Sequence, residues 1–162
     1  MHSVFVLCQN YPSEKDKYSM AFVHPRIKEY LKTGLDVKVI SFACNCSYIY
    51  DEVQVYTLQK GKELLRKSEK VILIAHAPNI KNHLFFILKT WKYLDRLILF
   101  FHGHEVLSTK KYYPRPYDFN KAAKREYRFL RLYDQIKLPV MRYYLKKFVA
   151  SGKCDLVFVS DW

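Results

Sequence analysis

Four consecutive residues that could form a binding or catalytic site come directly after an apolar run in the middle of the chain. The run is Leu97–Phe101, and the residues that follow are His102, Gly103, His104 and Glu105. A neutral imidazole hydrogen-bonds to hydroxyl groups and transfers protons, and a carboxylate accepts hydrogen bonds from them. Glycine lets the backbone turn sharply or approach a ligand closely. These residue types at this spacing indicate a polar binding or catalytic site.

A second apolar run also ends in a segment that contains a histidine. Val71–Ala75 is followed by His76-Ala77-Pro78-Asn79. In an open α/β sheet, ligands bind outside the carboxyl ends of the strands, where such side chains are delivered. We therefore expect His76 and Asn79 to lie with the first group of polar residues at one edge of one sheet.

Metal binding and a purely structural role are the alternatives for these histidines. Adjacent ligands in one loop rarely chelate one ion well, and the Cys44-x-Cys46 pair has no second cluster to complete a site, so we expect no metal ion. His102 can also end a strand by hydrogen bonding to the backbone alone. Because His76 ends a second strand in the same way, we favour a site.

Strands and helices that alternate along the chain must position these side chains. The apolar runs predict strands at Ser3–Leu7, Val37–Phe42, Val53–Thr57, Val71–Ala75, Leu97–Phe101 and Asp155–Val159. Between them, we predict helices at Met20–Lys32, with Ser19 as N-cap and a left-handed Gly34 ending the helix, at Asn82–Tyr93, and at Phe119–Val149, the last broken near Leu138-Pro139. Gly61–Glu69 is expected to be a short charged helix or turn. In the Asn82–Tyr93 helix, the residues expected to face inward are Leu84, Phe85, Leu88 and Trp91. Ala43–Glu52 is predicted as a loop, and a long loop, Gly103–Asp118, precedes the last helix. The alternation predicts an α/β fold of three layers, α/β/α, with a mainly parallel, Rossmann-like sheet.

The chain is strongly basic, with 28 Lys and Arg against 15 Asp and Glu and a formal net charge of +13. Such a charge attracts polyanions, including anionic lipids, nucleic acid and phosphate-bearing substrates. No recognised nucleic-acid motif is present, so we expect no nucleic-acid partner. A dinucleotide site is also disfavoured, because Gln9–Glu14 occupies the place of the glycine-rich fingerprint after the first strand.

The last predicted helix concentrates positive charge among aromatic residues. Lys124, Arg125, Arg128 and Arg131 surround its apolar stripe, and Tyr and Phe residues are interleaved with them. Basic and aromatic residues together are typical of a helix that lies on a membrane surface, so we predict that these four residues face a membrane. The alternative is a solvated helix face, the usual role of a charge run. No apolar run is long enough to cross a bilayer, and the scattered cysteines favour reduced thiols and the cytoplasm.

Four motifs stand at the ends of predicted elements in a fixed order. They are Phe22-Val23-His24-Pro25-Arg26 through Gly34-Leu35-Asp36-Val37-Lys38-Val39-Ile40, Ala75-His76-Ala77-Pro78-Asn79, His102-Gly103-His104-Glu105, and Val157-Phe158-Val159-Ser160. Together they resemble the N-terminal half of a GT-B glycosyltransferase of the family 4 type. The resemblance implies that residues 1–162 form a single Rossmann-like N-terminal domain. The C-terminal donor-binding domain would then lie outside this chain, as expected where a predicted strand stands so near the chain end.

By this resemblance, the enzyme moves a sugar from a nucleotide-sugar donor, with retention of configuration, to a polysaccharide or lipid-linked acceptor. His102 matches a family histidine that lies near the transferred sugar, which implies that it is a catalytic residue. Glu105 would bind a sugar or acceptor hydroxyl, with Gly103 and His104 beside it in the same motif. The resemblance implies no cofactor. Without the paired glutamates of the donor half, this chain alone is expected to be inactive.

The resemblance also implies substrate-binding roles for residues of two other loops. His76 and Asn79 would line the acceptor side. The family's loop after the first strand approaches the donor diphosphate, and here it holds Tyr18 and Ser19, where many members have paired glycines. The enzyme would work in the cytoplasm, as a peripheral protein at the inner face of the cell membrane. The alternative function is a non-catalytic, basic, membrane-associated binding subunit that partners a separate donor-binding chain.

Overall fold

A computed structural model describes residues 2–117 and 119–159, and the predicted fold class is confirmed. Seven strands form one mostly parallel sheet: β1 (Ser3–Cys8), β2 (Asp36–Ser41), β3 (Tyr48–Tyr50), β4 (Val53–Tyr56), β5 (Val71–His76), β6 (Arg96–Phe101) and β7 (Cys154–Phe158). Their order across the sheet is β3-β4-β2-β1-β5-β6-β7. All described neighbours pair in parallel except β3 and β4, which form an antiparallel hairpin at the edge. The residues of β3 had been predicted as loop, so that prediction was wrong.

Within the described ranges, five α-helices connect or cover the strands. They are α1 (Val23–Lys32), α2 (Leu58–Lys67), α3 (Phe85–Thr90), α4 (Thr109–Tyr112) and α5 (Lys121–Ala150). A π-helical turn, Ile80–Leu84, leads into α3, and a 3₁₀ turn, Trp91–Tyr93, follows it. The short α4 lies inside the long loop that precedes α5. Ser160, the last residue of the fourth motif, and Asp118, the end of the predicted loop, lie outside the described residues.

The core has two parts, one on each face of the sheet, because successive strand residues point to opposite faces. Phe5 and Leu7 of β1 pack on the face covered by α2, α3 and α5. Val4 and Val6, which alternate with them, pack on the face covered by α1. The apolar strand runs therefore face an apolar core on each side of the sheet, and the fold has the predicted three layers.

The helices α1, α2 and α5 differ from the prediction, and α2 covers Leu58–Lys67 where Gly61–Glu69 was predicted. The backbone of Met20 has a φ of 49°, outside the right-handed helical region, so α1 begins at Val23 and Ser19 does not cap it. The predicted helix end is confirmed, since Gly34 follows the C-cap residue Thr33 with a left-handed φ of 79°. α5 continues through Pro139 as one helix of 30 residues, so the predicted break near Leu138-Pro139 was wrong. Pro139 is exposed, which leaves water free to solvate the carbonyl group that loses its helical hydrogen bond.

Candidate functional site

The candidate site lies at the carboxyl edge of the sheet, where the strand order reverses. β1 pairs with β2 on one side and with β5 on the other, which makes the gap between β1 and β5 a topological switch point. Gln9 follows β1 there, and its Oε1 accepts hydrogen bonds from the amides of Asn79 at 3.3 Å and Asn82 at 2.8 Å. Sequence reasoning missed Gln9, because a single glutamine in a loop carries no pattern.

Both the oxygen and the nitrogen of the Asn79 side-chain amide form hydrogen bonds. Its Oδ1 accepts the backbone N–H of Asn82 at 2.8 Å and caps the π-helical turn, while its Nδ2 donates to Gln9. Asn79 therefore holds the turn after β5 in place and also lines the cavity described below. Its predicted role in substrate binding stays a prediction.

Glu105 organises the turn that follows β6. Its Oε2 accepts the backbone N–H groups of His102 at 3.1 Å and Gly103 at 2.8 Å. Gly103 has a φ of 120°, so the glycine is required for this close turn. Glu105 is only 3% exposed, and its Oε1 accepts no hydrogen bond from the described residues, although the His104 Nε2 lies 3.5 Å away. One carboxylate oxygen thus shapes the loop, and the other is left without a hydrogen-bond donor among the described residues.

His102 and His76 lie together in apolar surroundings on the α1 face of the sheet. The His102 ring packs on Phe22 with a centroid distance of 4.8 Å, and the His76 ring stacks on Phe100 at the same distance. The two imidazoles are 6.2 Å apart. The Nε2 of His102 and both ring nitrogens of His76 are buried without a hydrogen-bonding partner among the described residues. His76 has no exposed surface, and its predicted role in substrate binding stays a prediction.

Both histidines are held in the neutral form. Burial, with the nearby Arg26 and His102, lowers the pKa of His76 to about 3. Burial also lowers the pKa of His102; Glu105 opposes this change, and Arg26 and His104 add to it. The guanidinium of Arg26 lies 4.5 Å from the centre of the Phe100 ring, which explains its effect on both imidazoles. At neutral pH, each imidazole therefore has one donor and one acceptor nitrogen.

A cavity of about 540 Å³ lies on the other side of this turn, between the loop before α5 and the N-terminal half of α5. Its lining residues are Pro78, Asn79, Ile80, His104, Glu105, Thr109, Tyr113, Pro114, Pro116, Ala123, Glu126, Tyr127, Leu130, Tyr133, Lys137 and Met141. The volume falls in the range of small-molecule sites. Three predicted site residues, Asn79, His104 and Glu105, are therefore brought together at one cavity.

Tyr18 and Ser19 are not brought to this cavity. The Tyr18 side chain is 92% exposed, and its backbone N–H donates to Asp16 Oδ1 at 3.1 Å. From the same segment, Phe22 is the residue that contacts His102. The aromatic residues of the cavity wall were not predicted as site residues, because their convergence depends on how the loop folds against α5.

The basic face of α5 is combined with an exposed apolar stripe. Arg125, Arg128 and Arg131 are exposed, whereas Lys124 is half-buried. The helical spacing places an apolar stripe on the side of α5 that points away from the sheet, and each of its side chains is between 62% and 65% exposed. We call it the α5 stripe, and it consists of Phe129, Leu132, Ile136 and Tyr143.

Comparison of this chain with known protein families, curated proteins and solved structures found no match. Within the described part of the chain, no helix is both long and apolar enough to traverse a bilayer. The described residues also contain no group of three or more His, Cys, Asp or Glu side chains placed to hold a metal ion.

Proposed function

We propose that this domain is the acceptor-binding half of a retaining glycosyltransferase, which moves a sugar from a nucleotide-sugar donor to a polysaccharide or lipid-linked acceptor. The observation that carries the proposal is the neutral imidazole of His102 at the carboxyl edge of the sheet, whose Nε2 has no hydrogen-bonding partner among the described residues. A buried polar atom without a partner is costly, so a ligand hydroxyl that pairs with it gains the full value of that hydrogen bond.

The surroundings of His102 support a role with an uncharged, hydroxyl-rich substrate. Desolvation keeps the imidazole neutral, so the same ring accepts one hydrogen bond and donates another to sugar hydroxyls. The backbone of the same turn is fixed by Glu105 and Gly103, which preorganises the imidazole for the transition state. The switch point between β1 and β5 is also where open α/β sheets bind their ligands.

The proposal is tested by transfer activity of the full-length gene product. The protein is incubated with radiolabelled nucleotide-sugars and a membrane lipid extract, and labelled products are separated by chromatography. His102→Ala is expected to lower turnover by about two orders of magnitude, because it removes a preorganised hydrogen-bonding group. The matched control is His2→Ala, which removes an exposed histidine that is distant from His102 in the sequence. Near-normal turnover by a folded His102→Ala protein would contradict the assignment.

A second candidate is a non-catalytic, membrane-associated binding subunit that partners a separate donor-binding chain. The α5 stripe and its arginines favour membrane association in either case, since apolar side chains enter the headgroup region while Arg binds anionic lipid. We propose that the protein works in the cytoplasm, at the inner face of the cell membrane. Transfer activity that depends on His102 would exclude the subunit, and binding of a donor-binding partner without such activity would favour it.

Membrane association is tested with vesicles of phosphatidylcholine, with and without phosphatidylglycerol. Arg125, Arg128 and Arg131 changed together to Glu should weaken sedimentation with the anionic vesicles by at least on the order of a hundredfold, since each basic residue contributes about 1 kcal/mol. The matched control changes three exposed basic residues of α2 to Glu: Lys60, Arg66 and Lys67. Equal loss in both triple variants would mean that only net charge matters.

A further inference from the structure

The walls of the cavity beside Glu105 are built from aromatic and aliphatic side chains. α5 is about 45 Å long at about 1.5 Å per residue, whereas the strands span about 20 Å. The N-terminal half of α5 therefore extends beyond the sheet, and the loop before it folds back against that half. Tyr113 of the loop faces Tyr127, Leu130 and Tyr133 of α5 across the cavity. The resulting space is suited to an apolar or aromatic body.

The wall of the cavity includes Glu105, one of whose carboxylate oxygens accepts no hydrogen bond from the described residues. Oε2 is fully used by two backbone N–H groups, while the buried Oε1 has only the Nε2 of the exposed His104 near it, at 3.5 Å. A carboxylate accepts and does not donate, so its complement is a hydroxyl or another donor. Lys137 also lines the cavity, but its Nζ already contacts Asp134 Oδ1 at 2.6 Å and donates to the His104 carbonyl at 2.7 Å. Glu105 Oε1 is therefore suited to a neutral hydroxyl group and not to a phosphate.

We infer that this cavity binds an amphiphile whose apolar body lies along the tyrosines and whose hydroxyl group donates a hydrogen bond to Glu105 Oε1. The inference rests on the proposed function, since this amphiphile would be the glycosyl acceptor. It names the acceptor class as a hydroxyl-bearing molecule with an apolar body, as opposed to a free sugar. Binding does not require the donor, so it is measured on the chain described above without any transfer reaction.

The first experiment is a titration with alkyl glucosides below their critical micelle concentrations. Methyl groups of Met141 and Ile80, which line the cavity, are observed by NMR, with Met20 on the opposite face as the internal control. Octyl glucoside should shift the first two signals, and methyl glucoside should not. Across the hexyl, heptyl and octyl compounds, affinity should rise about threefold to fourfold per methylene group. Equal affinity for methyl and octyl glucoside would overturn the inference.

Two variants then locate the binding. Glu105→Gln retains an oxygen for the two backbone N–H groups but removes the charged acceptor, and it should weaken octyl glucoside binding about tenfold. Tyr113→Ala should also weaken it, whereas Tyr112→Ala should not, because Tyr112 is similarly exposed but does not line the cavity. If Glu105→Gln does not fold, the comparison of Tyr113→Ala with Tyr112→Ala still tests the inference.

A third variant separates the cavity from the α5 stripe. Leu132→Ser with Ile136→Ser removes apolar surface from the α5 stripe at two residues that do not line the cavity, so octyl glucoside binding should be unchanged. Loss of binding by this double variant, with normal binding by Tyr113→Ala, would assign the amphiphile to the α5 stripe and overturn the inference. Failure of the proposed function is recognised separately: cavity binding without His102-dependent transfer leaves the binding site intact and removes the enzyme assignment.

Discussion

Replacing Asp134 with alanine is expected to loosen the loop that carries the candidate site. Asp134 is a buried residue of α5 whose Oδ2 accepts the backbone N–H of Thr109 at 2.6 Å. Its Oδ1 lies 2.6 Å from Lys137 Nζ, and the same Nζ donates to the carbonyl of His104 at 2.7 Å. This chain of contacts ties the loop to α5, and it therefore also shapes the cavity beside Glu105.

The expected loss is about 3 kcal/mol in the free energy of unfolding. Each of the two contacts of Asp134 involves a charged group, for which about 1.5–3 kcal/mol is typical. We take the lower end for both, because Lys137 remains 12% exposed and keeps its bond to His104. In a domain of this size, the loss corresponds to a fall in Tm of about 6–12 °C.

The stabilisation also depends on pH in a defined direction. Burial raises the pKa of Asp134, but the hydrogen bonds from Lys137 and Thr109 outweigh it and leave the pKa below its usual value. A depressed folded-state pKa stabilises the protein above the unfolded-state pKa of about 4, and this contribution is lost as pH falls through the folded-state pKa. The difference between wild type and Asp134→Ala should therefore be complete at pH 7 and narrow below about pH 4.

Urea unfolding, followed by far-ultraviolet circular dichroism from pH 7 to pH 3, measures both effects. The matched control is Asp155→Ala. Asp155 pairs with Arg96 at the similar distances of 2.6 and 2.7 Å, but both side chains are nearly half exposed. Such a pair contributes about 1 kcal/mol or less. If Asp134→Ala costs no more than Asp155→Ala at pH 7, the buried network does not hold the loop.

Three further substitutions test a helix interior, a helix–sheet contact and a helix cap. Pro139→Ala should raise the free energy of unfolding by about 1–3 kcal/mol, because it restores a helical hydrogen bond in α5; a less stable variant would mean that the proline relieves strain. Gly61→Ala should lower it by about 2 kcal/mol, since the new Cβ would lie 2.5 Å from Ile40 Cγ1, and the gain in helix propensity offsets only part of the overlap; unchanged thermal unfolding would show that Ile40 moves aside. Asn79→Ala should cost about 1 kcal/mol by uncapping the π-helical turn, and a urea midpoint equal to that of wild type would count against the cap.

The helix after β5 shows why local periodicity predicts an element better than it predicts its buried face. A helix at Asn82–Tyr93 with Leu84, Phe85, Leu88 and Trp91 facing inward was the expectation. In the structure, Phe85 is 57% and Leu88 is 37% exposed, while Phe86 and Ile87 are buried. The π-helical turn contains an extra residue per turn and rotates the following face by about one residue. No sequence pattern marks that turn.

In the turn after β6, the sequence again predicted part of the local structure and missed the rest. The sequence indicated polar residues at the end of a buried strand and a sharp turn at Gly103, and the φ of 120° confirms the turn. It did not indicate that Glu105 turns back to bind the backbone N–H groups of His102 and Gly103. The catalytic and substrate-binding roles of these residues remain predictions.

The amino-acid sequence by itself determined the class of fold and the edge of the sheet where polar groups meet. Continuous apolar runs specify strands buried on both faces, and a run that stops in polar residues specifies where a strand ends; both are local properties. Tertiary structure decided the edge hairpin of β3, the continuous α5 and the cavity between α5 and its preceding loop. These features depend on contacts between distant residues, such as Thr109 with Asp134 and Gln9 with Asn79, whose energies no local pattern records.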